Sequence, residues 1–333
     1  MPTRKKTRYI VGVDLGGTNI VAGSVTEDGS RSVVTRNELT RADQGADAVV
    51  DRIARMIDTV IAETIAETGA RKADFLGVGV GAPGPLDRAR GIILTTPNLG
   101  WTNFPLRDVI HARVGLEVSL DNDANCATFG EWWQGAAKGA RNVVGMTIGT
   151  GIGGGLILDG RLYHGSSDVA GEIGHTTIDI TGRRCKCGNY GCLEAYASGP
   201  SIAERAREAL GGDEDSLLFS LVEGQLDRLT AALVYDAARK GDHLALDVVR
   251  ETARFLGAGI ANLLNVFNPD VVVLAGGVMQ AGVALFEPLK KEVRRRAFRA
   301  AVDRCRIVPG SLPGTAGVVG AAATFKQQVM GGV

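Results

Sequence analysis

The sequence predicts an α/β protein of two α/β domains around a central cleft. Three observations predict it: a strand–glycine turn–strand unit near the start, its recurrence beyond residue 141, and long amphipathic helices between and after the two units. Residues 9–14, an apolar run ending on the carboxylate of Asp14, read as a strand. Gly16, Gly17 and Thr18 follow as a turn, and residues 20–25 as the returning strand. A long helix is expected over 44–68, where Val49, Ile53, Met56, Ile57, Val60, Ile61 and Ile65 fall at helical spacing. Residues 75–80 make a short buried strand that ends in the turn Ala82-Pro83-Gly84-Pro85. Another strand over 118–120 leads into Asp121-Asn122-Asp123-Ala124, a helix start, since Asp and Asn cap helix N-termini well.

The opening pattern then recurs, with a strand over 142–148, a glycine turn over 149–155 and a returning strand over 156–158. The rest is mostly helical, at about 199–210, 216–223, 228–240 and 242–266. The strand 271–275 interrupts it and runs into Gly276-Gly277; a strand near 306–308 and a helix from about 314 follow. No low-complexity linker separates the halves. The boundary is expected near 121–123, giving a smaller domain over 1–121 and a larger one over 122–313, with the helix at 314–330 packing back on the first.

Composition narrows the function. The 333 residues are 45% hydrophobic and 22% charged, and 37 basic residues balance 37 acidic ones. Such a chain lacks the basic excess of a nucleic-acid footprint. No apolar run reaches the ~18 residues of a membrane span, and the basic start Arg4-Lys5-Lys6-Thr7-Arg8 has no apolar signal region behind it, so it reads as a frayed terminus. The expectation is a cytoplasmic protein with neither nucleic-acid nor membrane partners. Three of the five cysteines crowd into residues 185–192, which in a reducing compartment points to metal or redox chemistry.

Three glycine turns follow strands, and glycine lets backbone N–H groups approach a phosphate closely. With hydroxyls at Thr18 and Thr150, phosphate binding outweighs plain turn geometry. Gly149, Gly151 and Gly154 match a dinucleotide fingerprint, but that pattern must open a helix, and here a strand follows. Nor is there a GxxxxGK[ST] loop. Asp14 reads either as an organiser of Mg²⁺ through water or as a turn residue. Asn122-Asp123 reads either as a helix cap or as a cleft carboxylate able to take a hydroxyl proton during phosphoryl transfer. His175, Cys185, Cys187 and Cys192 offer the Cys₃His set of a closed structural zinc site; the Cys-x-Cys spacing is tighter than usual, and Gly182, Gly188 and Gly191 let the loop turn. Glu172 and Glu194 flank this loop. Cys126 and Cys305 read as buried core thiols, and His111, His164 and His243 have no identifiable partner.

Asp14-Leu15-Gly16-Gly17-Thr18, Gly171-Glu172-Ile173-Gly174-His175 and the segment from Cys185 to Glu194 together resemble the ROK family of sugar kinases and sugar-responsive repressors, over about residues 9–325. The resemblance implies the actin-like, ribonuclease H-like ATPase fold, with ATP, Mg²⁺ and a structural Zn²⁺. It implies Asp123 as catalytic base; Asn98, Asn122, Glu172, His175 and Glu194 as sugar ligands beside the Gly84 turn; and His175 serving both zinc and sugar. Gly16, Gly17, Thr18, Thr150 and Gly151 match phosphate-binding positions, and Gly276-Gly277 the adenosine-side turn.

Repressors of the family carry an N-terminal helix-turn-helix, whereas only thirteen residues precede Asp14, so a kinase is expected. Intact Asp123 and phosphate turns also disfavour a catalytically dead sugar sensor. The segment Thr96 to Trp101, followed by Phe104-Pro105-Leu106, is similar to that of the family's glucokinases, so glucose is the expected substrate and ATP the expected donor. Mannose, N-acetylmannosamine, N-acetylglucosamine and fructose kinases are the alternatives. Polyphosphate-using relatives exist, but Gly276-Gly277 favours ATP. The family further implies a homodimer.

Overall fold

Nearly every residue of the first strand, β1 (Tyr9–Leu15), is buried, as expected of a strand covered on both faces. The computed structural model describes residues 7–211 and 215–333, so residues 4–6 of the frayed terminus expected over 4–8 lie outside the described residues. From β1 the chain continues through β2 (Asn19–Thr26), β3 (Ser32–Leu39), helix α1 (Ala46–Thr68), β4 (Phe75–Ala82), β5 (Leu86–Asp87), β6 (Ile92–Thr96), β7 (Trp101–Phe104), α2 (Leu106–Val114), β8 (Val118–Asn122) and α3 (Asp123–Trp133). Next come β9 (Val143–Ile148), β10 (Ile152–Leu158), β11 (Arg161–Leu162), α4 (Glu194–Ala197), α5 (Gly199–Leu210), α6 (Leu217–Leu221), α7 (Ala231–Arg239) and α8 (His243–Phe267). The last elements are β12 (Val271–Ala275), α9 (Val283–Arg296), α10 (Arg299–Arg304), β13 (Arg306–Pro309) and α11 (Ala316–Met330). Among the described residues no helix is long and apolar enough to cross a membrane.

Two five-stranded sheets repeat one order, β3-β2-β1-β4-β8 and β11-β10-β9-β12-β13. In the first, β1 pairs antiparallel with β2 and parallel with β4, and β4 parallel with β8; in the second, β12 pairs parallel with both β9 and β13. The recurrence expected from two glycine turns is thus a duplicated sheet. The second turn is shorter than expected: β10 begins at Ile152, leaving only 149–151 as turn and putting Gly153, Gly154 and Gly155 into the strand. A third sheet, β5-β6-β7, was not expected; its strands are too short for periodicity to register.

The chain forms two compact units. One takes the chain up to Ala140, Gly155–Gly171 and Gly310 onward; the other is Arg141–Gly154 with Glu172–Pro309. The first unit therefore runs on through α3 instead of stopping near residue 121. The cause is contact between α3 and α11 that leaves no space for side chains: a Cβ on Gly320 would lie 1.6 Å from the Cys126 carbonyl oxygen. The helix α11 also lies on the sheet, where a Cβ on Gly79 would meet the Ala321 carbonyl oxygen at 1.8 Å. On the other face of β1, Val11, Val13 and Leu15 join Val49, Ile53, Ile57 and Val60 of α1 in one apolar core. In the second unit α8 contributes a long buried stripe that includes Val249, Leu256, Ile260 and Leu264. Cys126 is buried as expected; Cys305 is only partly so, because it ends the short helix α10 at the entry to the edge strand β13.

Candidate functional site

In the first unit, β1 delivers Asp14 to the edge of the Gly16–Gly17 turn. That turn closes by a Gly16 N–H donating to the Asn19 carbonyl at 2.8 Å and is braced by the Thr40 hydroxyl on the Gly16 carbonyl at 2.6 Å. Thr18 is exposed at its tip, and the Asn98 side chain lies against Gly17, 3.1 Å from where a Cβ would stand. Burial first, and then the charge of Asp123, push the Asp14 carboxyl up to about 7. Gly84, at φ 96°, sits where a Cβ would meet the Thr95 carbonyl oxygen at 2.3 Å, so a side chain there would push apart the loop that presents Asn98.

The strand β8 ends on Asn122, which is the true cap of α3: its side-chain oxygen accepts from the N–H groups of Ala124 at 2.9 Å and Asn125 at 3.1 Å. Asp123 is thereby the first helical residue, with its own Oδ1 on the Ala124 N–H at 2.8 Å. Asn122 thus serves as the cap, and Asp123 stays partly open at the helix N-terminus, which favours a carboxylate.

Asp121, only a possible cap in the sequence, is instead fully buried. It accepts from Arg88 Nε at 3.0 Å, His164 Nε2 at 3.0 Å and Gln328 Nε2 at 3.0 Å. Burial pushes its carboxyl up, but the hydrogen bond and charge of His164, with the charge of Arg88, hold it below the ordinary range. His164 therefore has a partner, contrary to expectation, and so does His111, whose Nδ1 donates to the Leu116 carbonyl at 2.8 Å. His243 is the exposed first residue of α8.

In the second unit the turn 149–151 closes by the Gly149 N–H on the Gly151 carbonyl at 2.9 Å, and the Gly199 N–H donates to the Gly149 carbonyl at 2.8 Å. Glu194 opens α4 and accepts the Ile152 N–H at 2.8 Å, with its carboxylate packed against Gly151. Gly276, at φ 96°, lies so close to β9 that a Cβ would meet the Ile148 carbonyl oxygen at 2.4 Å. Thr150, Glu194 and Gly277 then line a single cavity of about 930 Å³ with Ser198, Arg207 and Leu229. Those last three were not foreseen; the only signal was the Ser198-Gly199-Pro200 helix start, which reads equally well as a plain cap.

His175 ends a short turn, and its Nδ1 lies 3.7 Å from the Cys185 sulfur. The sulfurs of Cys187 and Cys192 are 3.7 Å apart, and all four ligand atoms fall within 4.8 Å of one another. A tetrahedron with Zn–S near 2.3 Å has edges of about 3.8 Å, so this spacing suits zinc. The other ring nitrogen, Nε2, faces Glu172, 4.0 Å from its carboxylate.

Duplicated hairpin-and-crossover sheets with glycine turns at their strand ends define a protein of the actin-like ATPase fold. The chain belongs to the ROK family, whose profile matches residues 10–328. It is 39% identical to a glucokinase of Halalkalibacterium halodurans, over 96% of each chain. It is 38% identical to a glucokinase of Thermotoga maritima, over 97% of this chain and 98% of the other. Among solved structures it is similar to a ROK glucokinase from Streptomyces griseus in complex with glucose and AMPPNP, with a TM-score of 0.83 and 36% identity over 96% of this chain and 99% of that one.

Proposed function

We propose that this protein is a hexokinase-type glucokinase, which phosphorylates glucose at its 6-hydroxyl with ATP to give glucose 6-phosphate and ADP. The observation that carries this reading is similarity to glucokinases along almost the entire chain, at 36–39% identity. On this reading Asn98, Asn122, Glu172, His175 and Glu194 hold the sugar hydroxyls beside the Gly84 turn. The turns at Gly16, Gly17 and Thr18 and at Thr150 and Gly151 border the phosphates, and Gly276-Gly277 forms the adenosine-side turn, from which Gly277 lines the 930 Å³ cavity.

Asp123 orients the 6-hydroxyl and accepts its proton as the sugar oxygen bonds to the γ-phosphorus and the bond to the β-phosphate oxygen breaks. Because the transition state is loose, this positioning matters more than the strength of the base. Asp14 suits a Mg²⁺ site reached through water: a carboxyl held near 7 by burial and a second carboxylate gains from a nearby cation. Mg²⁺ there would neutralise phosphate charge. Zn²⁺ held by His175, Cys185, Cys187 and Cys192 would be structural, since four protein ligands leave no open position. Zinc on Nδ1 would fix the ring proton of His175 on Nε2, the nitrogen left to donate to the sugar. The reading includes work in the cytoplasm, where ATP and free sugar meet, and a homodimer.

A coupled ADP-release assay over glucose, mannose, fructose, N-acetylglucosamine and N-acetylmannosamine tests it. Glucose is expected to give the highest kcat/KM, and Asp123→Asn to lose at least ~10² in kcat while still binding sugar. Absence of release with every hexose would overturn the enzyme reading in favour of a sugar sensor; a better hexose than glucose would replace the substrate.

A further inference from the structure

We propose that Asp121, gripped by His164 and Arg88, is a positioning group that sets the β8–α3 junction from which Asn122 and Asp123 project; the inference rests on the kinase reading above. Asp121 reaches the junction directly. Its Oδ1 accepts the Asn122 N–H at 2.9 Å and the Asn125 side-chain amide at 3.3 Å, so one carboxylate holds the backbone of one proposed sugar ligand and the first turn of the helix carrying the proposed base. The other donors come from three distant segments: Arg88 just after β5, His164 just after β11, and Gln328 in α11. Arg88 is in turn held by Asp168, through Nη1 at 3.3 Å and through its own backbone N–H at 3.2 Å.

The chemistry of this arrangement exceeds what closing a strand requires. A buried carboxylate is tolerated only when its lone pairs are filled, and an apolar residue would end the strand without that demand. Here both oxygens are saturated by donors from five residues, which removes the carboxylate's freedom to rotate. Since the Asn122 N–H and the Asn125 amide lean on one of those oxygens, fixing Asp121 fixes the pitch at which α3 begins. Proton transfer and in-line attack both depend on placement to a fraction of an ångström. His164 must donate from Nε2, because a carboxylate can only accept; loss of that N–H frees one side of Asp121 without touching Asn122 or Asp123.

His164→Ala and His164→Gln test the role, because glutamine keeps an N–H donor near the position of Nε2. His164→Ala is expected to lower kcat/KM for glucose about tenfold, and His164→Gln to recover most of it. KM for ATP should stay within twofold in both, because the cavity bordered by Thr150 and Gly277 draws its lining wholly from the other compact unit and neither variant alters the Gly16–Thr18 turn. Asp168→Asn, at a partly exposed position, should move glucose turnover the same way by a smaller factor. A merely structural role would lower Tm while leaving kcat and both KM values of the folded protein unchanged, and that result overturns the proposal. So does a glutamine variant no better than alanine. Wild-type turnover separates the two possible failures: without it the kinase reading falls, and with it and unaltered variants only the positioning role falls.

Discussion

At the end of β1 the half-buried Asp14 carboxyl is pushed up to about 7 by desolvation and by a second carboxyl, that of Asp123. In the unfolded chain it would release its proton near 3.9. Between these values the folded state binds the extra proton, so the contribution of Asp14 to stability is full below the unfolded value and is lost as pH rises through the folded one. The slope is at most about 1.4 kcal/mol per pH unit. In metal-free buffer, subtracting the stability of Asp14→Asn from that of wild type at each pH between 4 and 7 should leave a difference that falls as pH rises. A flat difference removes the buried-carboxyl account. Asp14 and Asp123 were legible in the sequence because each sits at a boundary between an apolar run and a turn or helix start. Asp121 and His164 were not, since the partners of Asp121 are 33, 43 and 207 residues away and no local pattern encodes that meeting.

Elements with strong periodicity were legible to within a few residues, α1 and α8 above all. The edge strand β3 was missed because only one of its residues is buried, and α9 because Pro288 and a run of basic residues mask its apolar stripe. The cysteine loop was legible by composition, whereas its geometry needed the fold. The Thr177–Cys192 and Arg184–Tyr190 bridges zip the loop back on itself and bring Cys185 beside His175. Burial, followed by the neighbouring Cys187 and Cys185, pushes the Cys192 thiol up to about 12, so a thiolate there needs a cation. Metal analysis of purified protein should find about one zinc per chain, the stoichiometry of one tetrahedral site. Cys187→Ser should lose that zinc and lower Tm. Metal-free protein with full activity and unaltered Tm would remove zinc from this loop.

On the scale of the whole molecule, the duplicated sheet was legible from two glycine turns, but the path of the chain was not. It leaves the first unit at Ala140, returns for Gly155–Gly171 and returns again at Gly310. The reason is α11, which lies on β1 and β4 with glycines where side chains would otherwise intervene. A fragment ending at Ala140 therefore lacks one covering layer of its own sheet. It should show no cooperative thermal transition and should bind dyes specific for exposed apolar surface, while the full chain melts cooperatively; a fragment that melts cooperatively would show that α11 is dispensable. The same path sets a clock during synthesis. At roughly 5–20 residues per second, the stretch between Ala140 and Met330 takes on the order of 10–40 s to make. For that interval the glycine-lined face of the first sheet waits uncovered beside the growing chain, and the unit can close only when translation is nearly complete.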